Sequence, residues 1–136
     1  MTPVSKRKLS KESEEKIKRV FLDQLAAITD KEEMASFMGR ILTESEKIML
    51  AKRLVAFVMI DKGVDDLHIS QSLYLTRETV ARFRLIFTAA KEKKEPVFKM
   101  IQELQIKAEL KRLLKQLLVG YVLPAAFGRI PKRSIF

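Results

Sequence analysis

The side chains best equipped for chemistry lie in one run, Leu75-Thr76-Arg77-Glu78-Thr79-Val80-Ala81-Arg82-Phe83-Arg84. Its guanidiniums, hydroxyls and single carboxylate make a set of donors and acceptors suited to base edges and phosphates, not to making or breaking bonds. The reagents of catalysis are missing elsewhere. The chain has no cysteine, which excludes a thiolate nucleophile, a thiolate metal site and a disulfide scaffold together. His68 is the only histidine, so no histidine cluster can hold a metal, and it falls in a short helical stretch where no serine has it as a triad base. There is no glycine-rich phosphate loop, and the carboxylates fall at helix caps and on solvated faces beside lysines. The expectation is a binding protein, not an enzyme, with no metal and no resident cofactor.

Two short helices must present that run. Asp65 stands where an N-cap belongs, opening a helix over Asp66 to Leu73 that Leu67 and Leu73 frame. Tyr74 and Leu75 make the turn, and Thr76 caps a second helix from Arg77 to Arg84. Val80 and Phe83, at i and i+3, face back onto the first helix. That leaves Thr76, Arg77, Glu78, Thr79, Ala81, Arg82 and Arg84 as the residues to meet a DNA major groove, in the arrangement of a helix-turn-helix over Asp65 to Leu85. Ser70 is small where the two helices cross. Tyr74 occupies the turn site at which glycine is commonest, and a left-handed backbone there would cost a non-glycine residue roughly 1 kcal/mol.

Composition frames this reading. A chain of 136 residues that is 47% hydrophobic can bury one core, and its formal charge of +10 favours an anionic partner, nucleic acid first and an anionic membrane surface second. Runs at helical spacing recur throughout without sustained alternation, so the fold class is all-α. The N-terminus lacks the apolar run of a signal peptide, and no stretch is as long and apolar as a membrane span, which points to the cytoplasm.

Along the chain, residues 1–12 read as a flexible basic arm in which Lys6, Arg7, Lys8 and Lys11 either lie along phosphates or serve only solubility. A helix from about Ser13 to Ile28 carries the stripe Ile17, Val20, Phe21, Leu25 and Ile28. Asp30 with Glu33, and Thr43 with Glu46, form two capping boxes. The second opens a helix from Glu44 to about Lys62 that is apolar nearly all round and stops at Gly63. One subunit of this length is short of the surface to cover it, so a homodimer is expected. Beyond the motif, Ala89 to Lys94 is polar, Pro96 starts a helix with one apolar side, and that helix runs to about Leu123 before Pro124 stops it. The ordered domain is thus expected over 13–123, followed by a tail over 124–136 that packs on a partner or is disordered.

The segment ILTESEKIMLAKRLVAFVMIDKG and the helix-turn-helix after it resemble the Trp repressor family, which pairs a leucine-threonine capping start, a long buried helix with an arginine in its second turn, and a DNA-reading motif. The likeness runs roughly from Phe21 to Leu104 and is most specific from Leu42 to Arg82. It implies an intertwined all-helical homodimer that represses transcription by setting two recognition helices on an operator. In tryptophan-binding members a threonine and two arginines hold the amino acid, and the matching positions are Thr43, Arg53 and Arg82. Where those members have glycine after the second arginine, this chain has Phe83, whose ring fills the space an indole would need. Thr43 is otherwise a cap, Arg53 a packing or ion-pair residue, and Arg82 a DNA contact. The alternative function is a basic helical module that binds nucleic acid without sequence preference or docks to another protein.

Overall fold

The computed structural model describes residues 7–121, and among them seven α-helices and no strand. The helices are α1 (Lys11–Ala27), α2 (Lys31–Ile41), α3 (Glu44–Asp61), α4 (Asp66–Leu73), α5 (Arg77–Glu92), α6 (Pro96–Leu104) and α7 (Ala108–Leu117). Contacts gather into two compact units, Met1–Leu50 and Ala51–Phe136, the division falling inside α3.

The first unit is set by its caps. Ser10 accepts from the Ser13 backbone N–H, so α1 begins two residues before the expected start and takes Lys11 into its first turn, shortening the basic arm. Asp30 accepts from the Glu33 N–H and opens α2. The Thr43–Glu46 box is reciprocal, with Glu46 N–H donating to Thr43 Oγ1 at 3.1 Å and Thr43 N–H donating to Glu46 Oε1 at 2.8 Å. Phe21 of α1 and Phe37 of α2 stack with centroids 6.3 Å apart, yet neither helix has a buried residue. Ile17, Val20, Leu22 and Ile41 stay exposed, as do Ile48, Met49 and Leu50 of α3.

The second unit holds the core. Ala56, Val58, Met59 and Ile60 of α3 pack with Ile69 and Leu73 of α4, Val80, Phe83 and Phe87 of α5, Ile101 of α6, and Leu114 of α7. Gly63, at φ 85°, ends α3 as expected: Val64 N–H donates to Met59 O and Gly63 N–H to Ile60 O, which satisfies carbonyls the helix would leave unpaired. Helix α5 runs to Glu92, eight residues past the expected stop, because Phe87 and Ala90 continue the buried face of Val80 and Phe83. The expected single C-terminal helix is broken after Leu104. The Gln105 side-chain amide donates to Asp61 at the end of α3, and the turn over 105–107 lets α7 bring Leu114, with Leu118 beyond it, into the core. Tethering and burial on both sides of the turn outweigh helix continuity there. The tail over 124–136 and the predicted stop at Pro124 lie outside the described residues, as does Lys6.

Candidate nucleic-acid interface

Helices α4 and α5 pack on each other across a short turn; α4 has its expected bounds and α5 its expected start. The Asp65 carboxylate accepts from the His68 N–H at 2.8 Å and meets His68 Nδ1 at 2.7 Å. Burial alone would raise the Asp65 pKa, but the His68 hydrogen bonds and the charges of His68 and Arg84 outweigh it and hold the carboxyl below its ordinary value. Ile69 and Leu73, one helical turn apart, are the buried pair of α4; Leu67, expected to frame the helix, is exposed because it lies off their stripe.

The turn takes the glycine geometry with tyrosine in it. Tyr74 adopts φ 53°, ψ 52°, a left-handed conformation, and Ser70 holds it there. The Ser70 carbonyl accepts from the N–H groups of both Tyr74 and Leu75, while Ser70 Oγ donates to Leu75 O at 2.7 Å. The small residue at the helix crossing therefore also clamps the turn. Thr76 Oγ1 accepts from the Thr79 N–H at 3.1 Å and meets Thr79 Oγ1 at 2.9 Å, opening α5 as anticipated.

From that start, Val80, Phe83, Phe87 and Ala90 are buried, while Arg77, Glu78, Ala81 and Arg82 are exposed, with Thr79 half-buried. Arg77, Glu78 and Arg82 make no ion pair or side-chain hydrogen bond among the described residues, so their polar groups are available to a ligand. Arg84 is placed differently from its expected position on the reading face. Its Nε donates to Asp66 Oδ1 at 2.6 Å and its Nη2 to Val64 O at 2.8 Å, tying α5 to the start of α4. Only the fold could reveal this, since the partners lie 18 and 20 residues back along the chain.

Of the three positions matched to an amino-acid pocket, two are engaged in other ways and the third is open. Thr43 Oγ1 is engaged in its capping box. Arg53 lies over the Phe83 ring, 5.0 Å from its centroid, and Phe83 is itself 3% exposed, packed edge-on against Phe57 at 6.0 Å. Arg82 is exposed. Tyr121 is a contributor that sequence reasoning missed. Its hydroxyl accepts from the Asp65 N–H at 3.2 Å, and its ring lies 4.4 Å from that of His68. No local pattern announces a contact across 56 residues.

Basic residues extend past the motif. Lys99, Lys107, Lys111, Arg112 and Lys115 are exposed on α6, α7 and the turn between them, and Lys8 and Lys11 are exposed near α1. Burial lowers the Lys62 pKa and the nearby Lys111 charge lowers it further, with Asp61 opposing both. No group of three histidines, cysteines or carboxylates among the described residues could hold a metal ion, and none of their helices is long and apolar enough to cross a membrane. No protein-family model, curated protein or solved structure matches the chain.

Proposed function

We propose that the protein is a sequence-specific, double-stranded DNA-binding regulator of transcription, built as a Trp-repressor-like homodimer and acting as a repressor by occupying an operator. The observation that carries the reading is the division of α5, with an inner face closed by Val80, Phe83 and Phe87 and an outer face presenting Arg77, Glu78, Ala81 and Arg82 from a clamped turn. A helix held by its own core and offering two unpaired guanidiniums and a carboxylate can enter a major groove without rearranging. The charge of +10 favours approach to DNA.

The exposed apolar residues of α1, α2 and the first turns of α3 supply the reason for a dimer, because a second subunit would remove them from water. Two copies place two recognition helices on successive major grooves about 34 Å apart, so the preferred site is roughly palindromic. Phe83, covered by Arg53, takes the place of a corepressor ring, and the recognition helix is set without tryptophan.

Selection of bound duplexes from a random pool tests the reading. A palindromic consensus is expected, and Arg82→Ala should cost about 1–3 kcal/mol on that consensus and far less on random duplex. The exposed lysines and arginines of α6 and α7 favour a second reading, a module that neutralises phosphates without regard to sequence. A pool that returns no consensus, bound with a steep salt dependence, would select that second reading.

A further inference from the structure

Tyr74 stands apart from every other residue of the helix-turn-helix. Its backbone is left-handed, at φ 53° and ψ 52°, where a side chain is unfavourable and glycine is at ease. Strain of this kind persists where the surrounding structure over-determines it, and it clusters at functional sites; here the side chain takes no part, since the residue is 88% exposed. Its hydroxyl has no hydrogen-bond partner among the described residues, and no ring packs against it. Within the described residues the phenol thus makes no contact that would offset the strain of a side chain at that position.

Its position supplies the missing partner. Tyr74 lies two residues before the Thr76 cap, at the end of α5 from which exposed Arg77 and Glu78 project. Tyr74, Arg77 and Glu78 are all exposed within four residues of chain. Ser70 pins the turn through both N–H groups and the Leu75 carbonyl, so the side chain leaves from a fixed point. A phenol hydroxyl offers one uncharged donor, and the acceptors flanking a helix inserted in a groove are phosphate oxygens, which tyrosine contacts commonly.

We propose that Tyr74 is a DNA-backbone contact, its hydroxyl donating to a phosphate at the edge of the groove that α5 enters, so that its strained conformation serves binding and not folding. The inference rests on the DNA-binding reading above. It assigns Tyr74 to affinity and not to sequence choice, because every duplex presents the same phosphate. It also separates Tyr74 from the arginines, since a neutral donor releases no counterion.

The test uses the full chain, with Tyr74→Phe and Tyr74→Gly measured beside wild type on the selected duplex and on a random one across a salt series. Tyr74→Phe keeps the turn and removes only the donor; both duplexes should weaken alike, by about three- to tenfold, with an unchanged salt slope. Tyr74→Gly should weaken binding at least as much while raising the folding equilibrium constant about fivefold, as relief of a left-handed side chain requires. Wild-type binding with both variants within twofold of it overturns the inference and leaves the DNA reading standing. A loss confined to one sequence also overturns it, since that is base readout. A wild type that binds no duplex even at low salt removes the reading and the inference together.

Discussion

Replacing Arg84 by alanine separates a structural arginine from the reading arginines, and its effect can be sized from the geometry. The guanidinium donates twice, to a carboxylate at 2.6 Å and to a backbone carbonyl at 2.8 Å. A hydrogen bond from a charged group contributes about 1.5–3 kcal/mol when dry, and an exposed ion pair about 0–1 kcal/mol. The two side chains are 36% and 31% accessible, an intermediate condition in which water replaces part of what is lost. Arg84→Ala should therefore destabilise the protein by about 1–2 kcal/mol, which for a unit of this size lowers the melting temperature by about 5–10 °C. Asp66→Ala should cost less, because the Val64 bond survives it, and the double variant should fall short of the sum. Calorimetry gives the stabilities, and a salt series of DNA binding at a temperature where all variants are folded gives the slope. An Arg84→Ala protein with native stability and a salt slope reduced by about one would refute the clamp and return Arg84 to the DNA.

The remaining expectations concern the effector, assembly and pH. Tryptophan added during a DNA titration should leave affinity within about twofold, and a tenfold tightening would show that Phe83 does not stand in for a ligand. Val20→Glu with Leu22→Glu, on exposed positions of α1, should convert a dimer into a folded monomer by sedimentation at micromolar concentration; a wild type that is already a stable monomer would exclude the dimer. The Glu46 carboxyl is held below its ordinary value by hydrogen bonds from the Thr43 N–H and hydroxyl, and Asp65 is lowered as well. With both values depressed, the native state binds fewer protons than the unfolded chain, so their stabilisation is complete above about pH 5 and is lost as pH falls through the lowered values. Denaturant midpoints should drop on acidification more in wild type than in Glu46→Gln, and parallel curves would sink the assignment.

Helix starts were legible because a cap is local: Asp30, Thr43, Asp65 and Thr76 each bind a backbone N–H three residues on, within reach of any reader of the sequence. Gly63 was legible for the same reason, as was the inward turn of Val80 and Phe83. What escaped depended on distant partners. The break after Leu104 follows from Asp61 receiving Gln105 and from Leu114 finding the core, neither of which marks the residues around 105 with a glycine or a proline. Arg84 carries the same side chain as Arg82 and lies two positions away, yet two residues of helix turn it from the open face toward Asp66. Leu67 stands at the start of α4 as Leu73 stands at its end, and only its angular distance from Ile69 and Leu73 leaves it exposed.

The Tyr121 hydroxyl bound at the head of α4 has a bearing on how the protein is made. The Arg84 links close loops of 18 and 20 residues, so both partners have emerged from a ribosome soon after α5 is complete. The Tyr121 contact spans 56, and closing that larger loop costs about 1 kcal/mol more in chain entropy. Leu114 and Leu118 arrive in the core with it. A chain that ends after α5 therefore holds both Arg84 links but lacks Tyr121, Leu114 and Leu118. A fragment cut after α5 should therefore be less stable than the whole second unit, a difference that denaturant unfolding would measure. Transplanting α4 and α5 into another scaffold would require carrying the chain through Tyr121 along, since its hydroxyl accepts from the Asp65 N–H at the head of α4.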